Sequence, residues 1–276
     1  MDITNIGLVD DDDILLDIAA LALSQLDHGE ADLQPYLAQL DEIEDLVCAE
    51  GRSAFLSGER AAVLLEVMHH QLGFAGDSQA YDAPINADLV RVLDRKRGLP
   101  ISLAIPYVAM ARRAGWTADV LNVPGHVLVR IGEKNPVVID PFMGHGPVSA
   151  DDLEVICCHY LGDDGKDVAL QVEAMSNRQI LTRLLNNQAI RAEQGGDLPH
   201  AFAVYSRITQ VAPDGPEAWQ NLARLHLAFE DVPGARHCLL AMLEVVRDPD
   251  LRSRIKATHD ALASASPPTS EGPTLG

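Results

Sequence analysis

Apolar residues in the first part of the chain recur at the spacing of amphipathic helices. One such pattern begins at Ile14, directly after the acidic run at residues 10–13, and two more extend over residues 35–48 and 59–72. Carboxylates at a helix N-terminus cap free amides and suit the positive end of the helix dipole, so we expect the acidic run to begin the first helix. The pattern predicts a helical N-terminal region over residues 1–72.

The middle of the chain combines one apolar helix with segments that have a strand pattern. The helix is predicted from Ile101 to Ala114, and Gly115 ends it. Segments rich in β-branched residues predict strands, the last two joined as a hairpin: residues 117–123, 127–131 and 137–139. A buried helix followed by an antiparallel sheet is typical of an α+β fold, which we expect over residues 73–173.

The last third of the chain contains a repeat of 34 residues. Its members share small or large apolar character at matched positions: Leu185, Ala189, Ala201 and Tyr205, then Trp219, Ala223, Ala235 and Leu239. This period is typical of tetratricopeptide repeats, which are stacked pairs of α-helices. We therefore expect a tetratricopeptide repeat region over residues 174–263 and, because no apolar pattern follows it, a disordered tail over residues 264–276.

The charge of the chain narrows its partners. Lys and Arg number 21 against 41 Asp and Glu, which gives a formal net charge of −20. Such a field repels phosphate backbones and anionic lipid heads, so we expect neither nucleic acid nor a membrane surface as a partner. No apolar stretch approaches the length of a bilayer span. The sequence predicts no particular oligomeric state.

The cysteines and glycines argue against disulfides, metals and cofactors. Four cysteines in a chain of 276 residues do not form a disulfide framework, which favours a reducing, cytoplasmic setting. Cys157, Cys158 and His159 are adjacent, but no second Cys/His pair occurs at a zinc-site spacing. The usual glycine-rich phosphate loops do not occur. We therefore expect no metal and no cofactor.

The sharpest chemical signal is a histidine at the start of one predicted strand and an aspartate at the end of the next. If Ile131 pairs with Asn135, His126 lies directly opposite Asp140; if Ile131 pairs with Pro136, the two face apart. A carboxylate beside an imidazole fixes its tautomer, as in a catalytic triad. The same pair is equally consistent with a buried hydrogen bond that holds two strands together, and both interpretations stay open.

Three motifs in this region resemble one known family. They are the segment from Arg97 to Ala104, the tripeptide Pro124-Gly125-His126, and the segment from Ile139 to Phe142. Together they resemble the bacterial SirB-type proteins, which join a transglutaminase-like domain to C-terminal tetratricopeptide repeats. The resemblance extends from about residue 10 to residue 260 and implies a papain-like core with a Cys-His-Asp triad.

The resemblance assigns the histidine role to His126 and the aspartate role to Asp140, but it finds no cysteine. In the family the cysteine opens the buried helix, where the helix dipole and the histidine lower the pKa of its thiol. Aligning Gly98-Leu99 and Ala104 places Pro100 at that position. Ser102 is the nearest nucleophilic side chain, but two residues along a helix turn it by roughly 200°. The nucleophile is therefore predicted to be missing.

The missing nucleophile favours a non-catalytic adaptor, a pseudoenzyme that binds a protein or peptide partner through its repeats. One alternative is a hydrolase or acyltransferase in which His126, held by Asp140, activates Ser102. Another is a small-ligand domain whose cleft uses Arg97 and Asn86 as polar contacts.

Basic residues in an acidic chain suggest further contacts. We expect the cluster at residues 95–97 to pair with the acidic N-terminal region. The repeat region carries four arginines that predict either an acidic peptide or C-terminal carboxylate as the ligand, or docking of that same N-terminal region: Arg183, Arg191, Arg207 and Arg224.

Overall fold

The N-terminal part of the chain is helical, as the sequence predicts. The structure is a computed structural model, and it describes residues 6–29, 32–165, 167 and 172–265. Its first helices are α1 (Leu16–Gln25), α2 (Gln34–Glu50) and α3 (Ser57–Leu64), and α3 continues as a π-helix over Leu65–Gln71.

The acidic run caps a helix, but not the one that follows it. Asp11–Asp13 form a 3-10 helix, and α1 begins at Leu16 without a side-chain cap. The carboxylate of Asp11 instead accepts hydrogen bonds from the backbone N–H groups of Asn177 (2.7 Å) and Arg178 (2.8 Å). These residues begin a helix in the last third of the chain, so the expectation for the run was wrong about the helix and right about the chemistry.

The core is built around one apolar helix. After a short helix, α4 (Leu89–Arg95), the chain enters α5 (Pro100–Arg113), in which residues 100–111 are all buried. It packs against α1 and α2 and against the antiparallel sheet β3-β4-β5. The strands are β1 (Ala75–Gly76), β2 (Arg97–Gly98), β3 (Ala118–Val123), β4 (His126–Ile131) and β5 (Val137–Ile139), and β1 pairs with β2 in parallel.

The hairpin between β4 and β5 has a register that the sequence analysis did not consider. Ile131 pairs with Val137, so both predicted pairings, with Asn135 and with Pro136, were wrong. Pro136 has no N–H group to donate to a ladder. Asn135 has a left-handed backbone, with φ of 47°. The loop is therefore longer than predicted, and His126 stands two residues from the position opposite Asp140, on the same face of the sheet.

The other face of this sheet is covered by α6 (Ala150–Leu161). Leu121, Val123 and Leu128 form a small second core with Cys157 of this helix. Ser149 caps α6 by accepting a hydrogen bond from the N–H of Asp152 (3.1 Å). The helix therefore starts at a defined residue and passes close to the start of β4.

The last third forms two helical hairpins and a closing helix. These are α7 (Asn177–Gln194), α8 (Leu198–Val211), α9 (Pro216–Ala228), α10 (Val232–Val245) and α11 (Pro249–Ala265). The second hairpin repeats the boundaries of the first after 34 residues, since α8 and α10 both start and end at that offset. Most of the predicted tail, residues 266–276, lies outside the described residues.

The acidic N-terminal region is held by arginines other than the predicted cluster. Arg95 donates to Asp77 (2.7 Å), and Arg97 to the carbonyl of Gly73, because β1 and β2 bring this cluster to the neighbouring segment. The N-terminal carboxylates pair instead with two arginines further along the chain. Arg113 donates to Asp17, Asp41 and Glu44, and Arg207 pairs with Asp27.

Within the described residues, no helix is both long enough and apolar enough to cross a bilayer. No group of three or more His, Cys, Asp or Glu side chains there has the geometry of a metal site.

Candidate functional site

The histidine and the aspartate that the sequence singled out are in contact. Nε2 of His126 lies 2.7 Å from Oδ2 of Asp140, across the β4–β5 pair. The other carboxylate oxygen accepts hydrogen bonds from the backbone N–H groups of Phe142 (2.9 Å) and Met143 (3.0 Å). Asp140 is almost fully buried and His126 partly so. The carboxylate is therefore anchored by the turn that follows β5, and it fixes the orientation of the imidazole ring.

The ring of His126 borders two cavities. The first, which we call the small cavity, has a volume of about 40 Å³ and is lined among others by Tyr81, Pro100, Arg183 and Asn187. The second, which we call the α6 cavity, has a volume of about 430 Å³ and lies against α6. Its lining is imidazole, phenol and aliphatic: His145, His159, Tyr160, Met143, Val155 and Ile156.

The glycine before His126 allows α6 to approach this loop. Gly125 has a φ of 69°, in the left-handed region, and a Cβ atom there would overlap the ring of Tyr160. Any other residue would be strained by its backbone and would push this tyrosine away. The Pro-Gly-His motif is thus a close-approach point that keeps the ring of Tyr160 beside the histidine.

Pro100 occupies the place where the family resemblance puts a cysteine. It is the first residue of α5, it is buried, and it lines the small cavity together with His126. Proline suits this position because the first N–H group of a helix has no intrahelical partner. The positive end of the α5 dipole and an oriented imidazole therefore meet at a residue that has no nucleophilic atom.

The structure does not bring Ser102 to the histidine. Its side chain is fully buried, and its Oγ donates to the carbonyl of Asn86 (2.6 Å), with the carbonyl of Leu99 3.2 Å away. The same oxygen accepts a hydrogen bond from the N–H of Leu99 (2.9 Å). Ser102 lines neither of the two cavities beside His126. These contacts are those of a helix-capping serine.

Asn86 and Arg97, the proposed polar contacts of a small-ligand cleft, also lie elsewhere. Asn86 is fully buried, donates to the carbonyl of Ala80 (2.7 Å) and accepts from Arg95 (2.8 Å). Arg97 donates to backbone carbonyls on the segment before it. Neither residue lines the cavities beside His126, so the cleft is built from other side chains.

Sequence reasoning missed Arg183 as a residue of this site. Its guanidinium donates to the side chain of Asn122 and to the carbonyl of His126 (3.3 Å). Burial lowers the pKa of Arg183 below its usual range. The residue is 57 positions after His126 and belongs to a helix that the repeat pattern had assigned to another region, so no local motif joins the two.

The four repeat arginines have different partners. Arg207 pairs with Asp27 and Arg224 with Glu193, and Arg191 donates to Asn187 (2.8 Å). Docking of the acidic N-terminal region therefore accounts for Arg207 and for none of the other three. Arg183 differs from these in facing an open groove.

This groove, which we call the α7 groove, runs along one face of α7 and has a volume of about 1390 Å³. Its α7 side chains recur every three or four residues: Gln179, Thr182, Arg183, Asn186, Asn187 and Ile190. Arg183 and Asn187 also line the small cavity, so the groove and the cavity beside His126 meet at these two side chains.

Comparison with known proteins adds a family. The model described as Transglutaminase-like superfamily matches residues 34–186, more than half of the chain. A "UPF0162 protein" of Xylella fastidiosa (strain 9a5c) is 28% identical over 245 residues, which cover 87% of each chain. "F-box only protein 21" of Homo sapiens is 31% identical over 253 residues, which cover 79% of this chain and 39% of that protein. The crystal structure of menin covers 94% of this chain and 73% of its own at 12% identity, but its TM-score of 0.41 supports no structural argument.

Proposed function

Because the chain belongs to the transglutaminase-like superfamily, we propose that it is a non-catalytic member that binds a peptide segment of a protein partner in the α7 groove. The observation that carries this proposal is Pro100, which stands beside His126 at the start of α5. An oriented imidazole with no nucleophile next to it can hold a strand pair or contact a ligand, but it cannot form an acyl intermediate.

The contacts of Ser102 support the same conclusion. A serine needs a general base within hydrogen-bond reach, because an unassisted hydroxyl is a weak nucleophile near neutral pH. The single hydroxyl proton of Ser102 is directed at the carbonyl of Asn86. Activation by His126 would require this buried capping interaction to break first, which leaves the backbone of Leu99 and Asn86 unpaired.

The chemistry of the α7 groove supports peptide binding. Side-chain amides both donate and accept hydrogen bonds, as the backbone of an extended peptide does. Gln179, Asn186 and Asn187 present three such amides along the groove. We assign the two hairpins α7–α8 and α9–α10 as tetratricopeptide repeats, on the 34-residue offset of their boundaries and on the closing helix α11.

The test is a selection from a displayed library of random linear dodecapeptides, with the full chain as bait. We expect bound peptides that lose at least about tenfold in affinity when Asn186→Trp fills the groove. Gln220→Trp, at an exposed position of α9 outside the groove, serves as the matched control and leaves the affinity unchanged.

The fate of the bound peptide tests the non-catalytic part of the proposal. After prolonged incubation with the protein, we expect each selected peptide to be recovered with its original mass. Failure to select any peptide, or binding that survives Asn186→Trp, would overturn the binding site. A change in peptide mass that disappears with His126→Ala would overturn the absence of catalysis.

A further inference from the structure

Arg183 is a cation whose contacts in the structure are neutral. Among the described residues, its hydrogen-bond acceptors are an amide oxygen of Asn122 and the carbonyl of His126. The three other arginines of the repeat region pair with carboxylates: Arg207 with Asp27, Arg224 with Glu193 and Arg191 with Asp82. A guanidinium that is partly desolvated and matched only by dipoles gains most from a carboxylate placed against it.

The small cavity has the size of one carboxylate group. It is lined by Arg183 on one side and by Pro100 and His126 on the other. A buried water needs roughly 10–15 Å³ of such volume. The cavity of about 40 Å³ therefore holds about three atoms of that size, which is the number of heavy atoms in a carboxylate, and no larger charged group.

The cavity joins the α7 groove in the middle of its length. The groove extends along α7 from Arg178 to Ile190, and the two shared side chains are Arg183 and Asn187. A group that enters from the middle of an extended peptide is a side chain, whereas a chain terminus would enter from an end of the groove. A slender CH₂ stem also fits a narrow opening better than the branched Cα of a C-terminal residue.

We propose that the small cavity binds the side-chain carboxylate of an aspartate or glutamate in the peptide that occupies the α7 groove, with Arg183 as its ion-pair partner. This inference rests on the proposed function, because it needs a peptide in the groove. It replaces a general preference for acidic ligands with one anchoring position, formed where the repeat region meets the hairpin that carries His126.

The rest of the groove selects against further acidic residues. Glu173, Asp214 and Glu217 line it and have no ion-pair partner among the described residues. Arg178 donates to the carbonyl of Val211 (2.8 Å), so the connection that carries Asp214 lies near the N-terminal end of α7.

These carboxylates set the spacing expected in the ligand. Five residues of helix between Arg178 and Arg183 span about 7.5 Å, which an extended peptide covers in about two residues. The ligand is thus a peptide with one acidic residue and a Lys or Arg about two or three positions from it.

The experiment sequences the peptides that the displayed library yields on three full-length proteins: wild type, Arg183→Met and Arg224→Met. With the wild type we expect Asp or Glu at one fixed position and a basic residue two or three positions away. The fixed acidic residue disappears with Arg183→Met. It stays with Arg224→Met, which removes an exposed arginine that is already paired with Glu193.

A second measurement changes the ligand and leaves the protein intact. Replacing the anchoring glutamate of the best peptide by glutamine should weaken binding to the wild type at least about tenfold, and to Arg183→Met less than about threefold. Equal losses on both proteins, or selected peptides without a fixed acidic residue, overturn the carboxylate site while the groove remains. A library that yields no peptide at all overturns the groove as well.

Discussion

The variant Pro100→Cys is expected to carry a thiol that iodoacetamide alkylates at nearly the same rate at about pH 6 and about pH 8.5. A cysteine here would stand at the first position of α5, where the helix dipole stabilises a thiolate, and beside the imidazole of His126. Such surroundings lower a thiol pKa from about 8.5 to between about 3.5 and 7.5. The thiolate would then already be formed at the lower pH.

The chain contains its own reference thiol for this experiment. Cys48 is exposed, and desolvation together with the carboxylates of Glu44 and Asp45 raises the pKa of its thiol. We expect alkylation of Cys48 to rise by about 100-fold or more over the same pH interval, because its thiolate fraction follows the pH. Peptide mass spectrometry separates the two sites in one sample.

The control adds His126→Ala to Pro100→Cys. Without the imidazole we expect the new thiol to lose most of its reactivity at the lower pH, while Cys48 stays unchanged. If the introduced thiol reacted with the pH dependence of Cys48 in a correctly folded variant, the start of α5 and His126 would not form the electrostatic site described above.

The second large effect concerns stability, and we expect it from Asp140→Ala. The carboxylate of Asp140 is buried and accepts hydrogen bonds from His126 and from the N–H groups of Phe142 and Met143. Removing it leaves these donors without their partner in a site that excludes water. We expect the free energy of unfolding to fall by about 3–5 kcal/mol, because in a chain without a nucleophile this pair acts as a fastening of the β4–β5 hairpin.

A matched aspartate on the same sheet provides the comparison. Asp119 on β3 pairs with Arg130 on β4 at 2.7 Å, but both side chains are partly exposed. Asp119→Ala should therefore cost only about 1 kcal/mol. Denaturant unfolding of both variants measures the difference, and equal losses would mean that the buried pair contributes no more to stability than a surface one.

The sequence predicted the parts of the fold that depend on local periodicity. Helix α5, strands β3 to β5 and the 34-residue repeat all lie within a few residues of their expected positions. It also identified His126 and Asp140 as partners, because two strand ends joined by a short hairpin must lie close together. The register was missed since it depends on the backbone of Asn135 and on Pro136, which a hydrophobic pattern does not report.

What the sequence could not provide is contact between distant segments. Asp11 caps a helix that begins at Asn177, and Arg183 reaches the carbonyl of His126. Neither pair shares a motif, a period or a charge pattern, so only the packing of α7 against the core brings them together. The role of Ser102 was open for the same reason, because its acceptor is the backbone carbonyl of Asn86, 16 residues away.

The measurement that tests the account most directly is acyl transfer from p-nitrophenyl acetate, followed by mass spectrometry of the intact and the digested protein. Attack on this ester moves the acetyl group to the nucleophile and releases p-nitrophenolate, and Pro100→Cys serves as the positive control, with one acetyl group on its new thiol. For the wild type the account predicts no acetyl group on Ser102. An acetyl group on Ser102 that is lost in His126→Ala would contradict it, because the chain would then possess the nucleophile that its structure assigns to capping a helix.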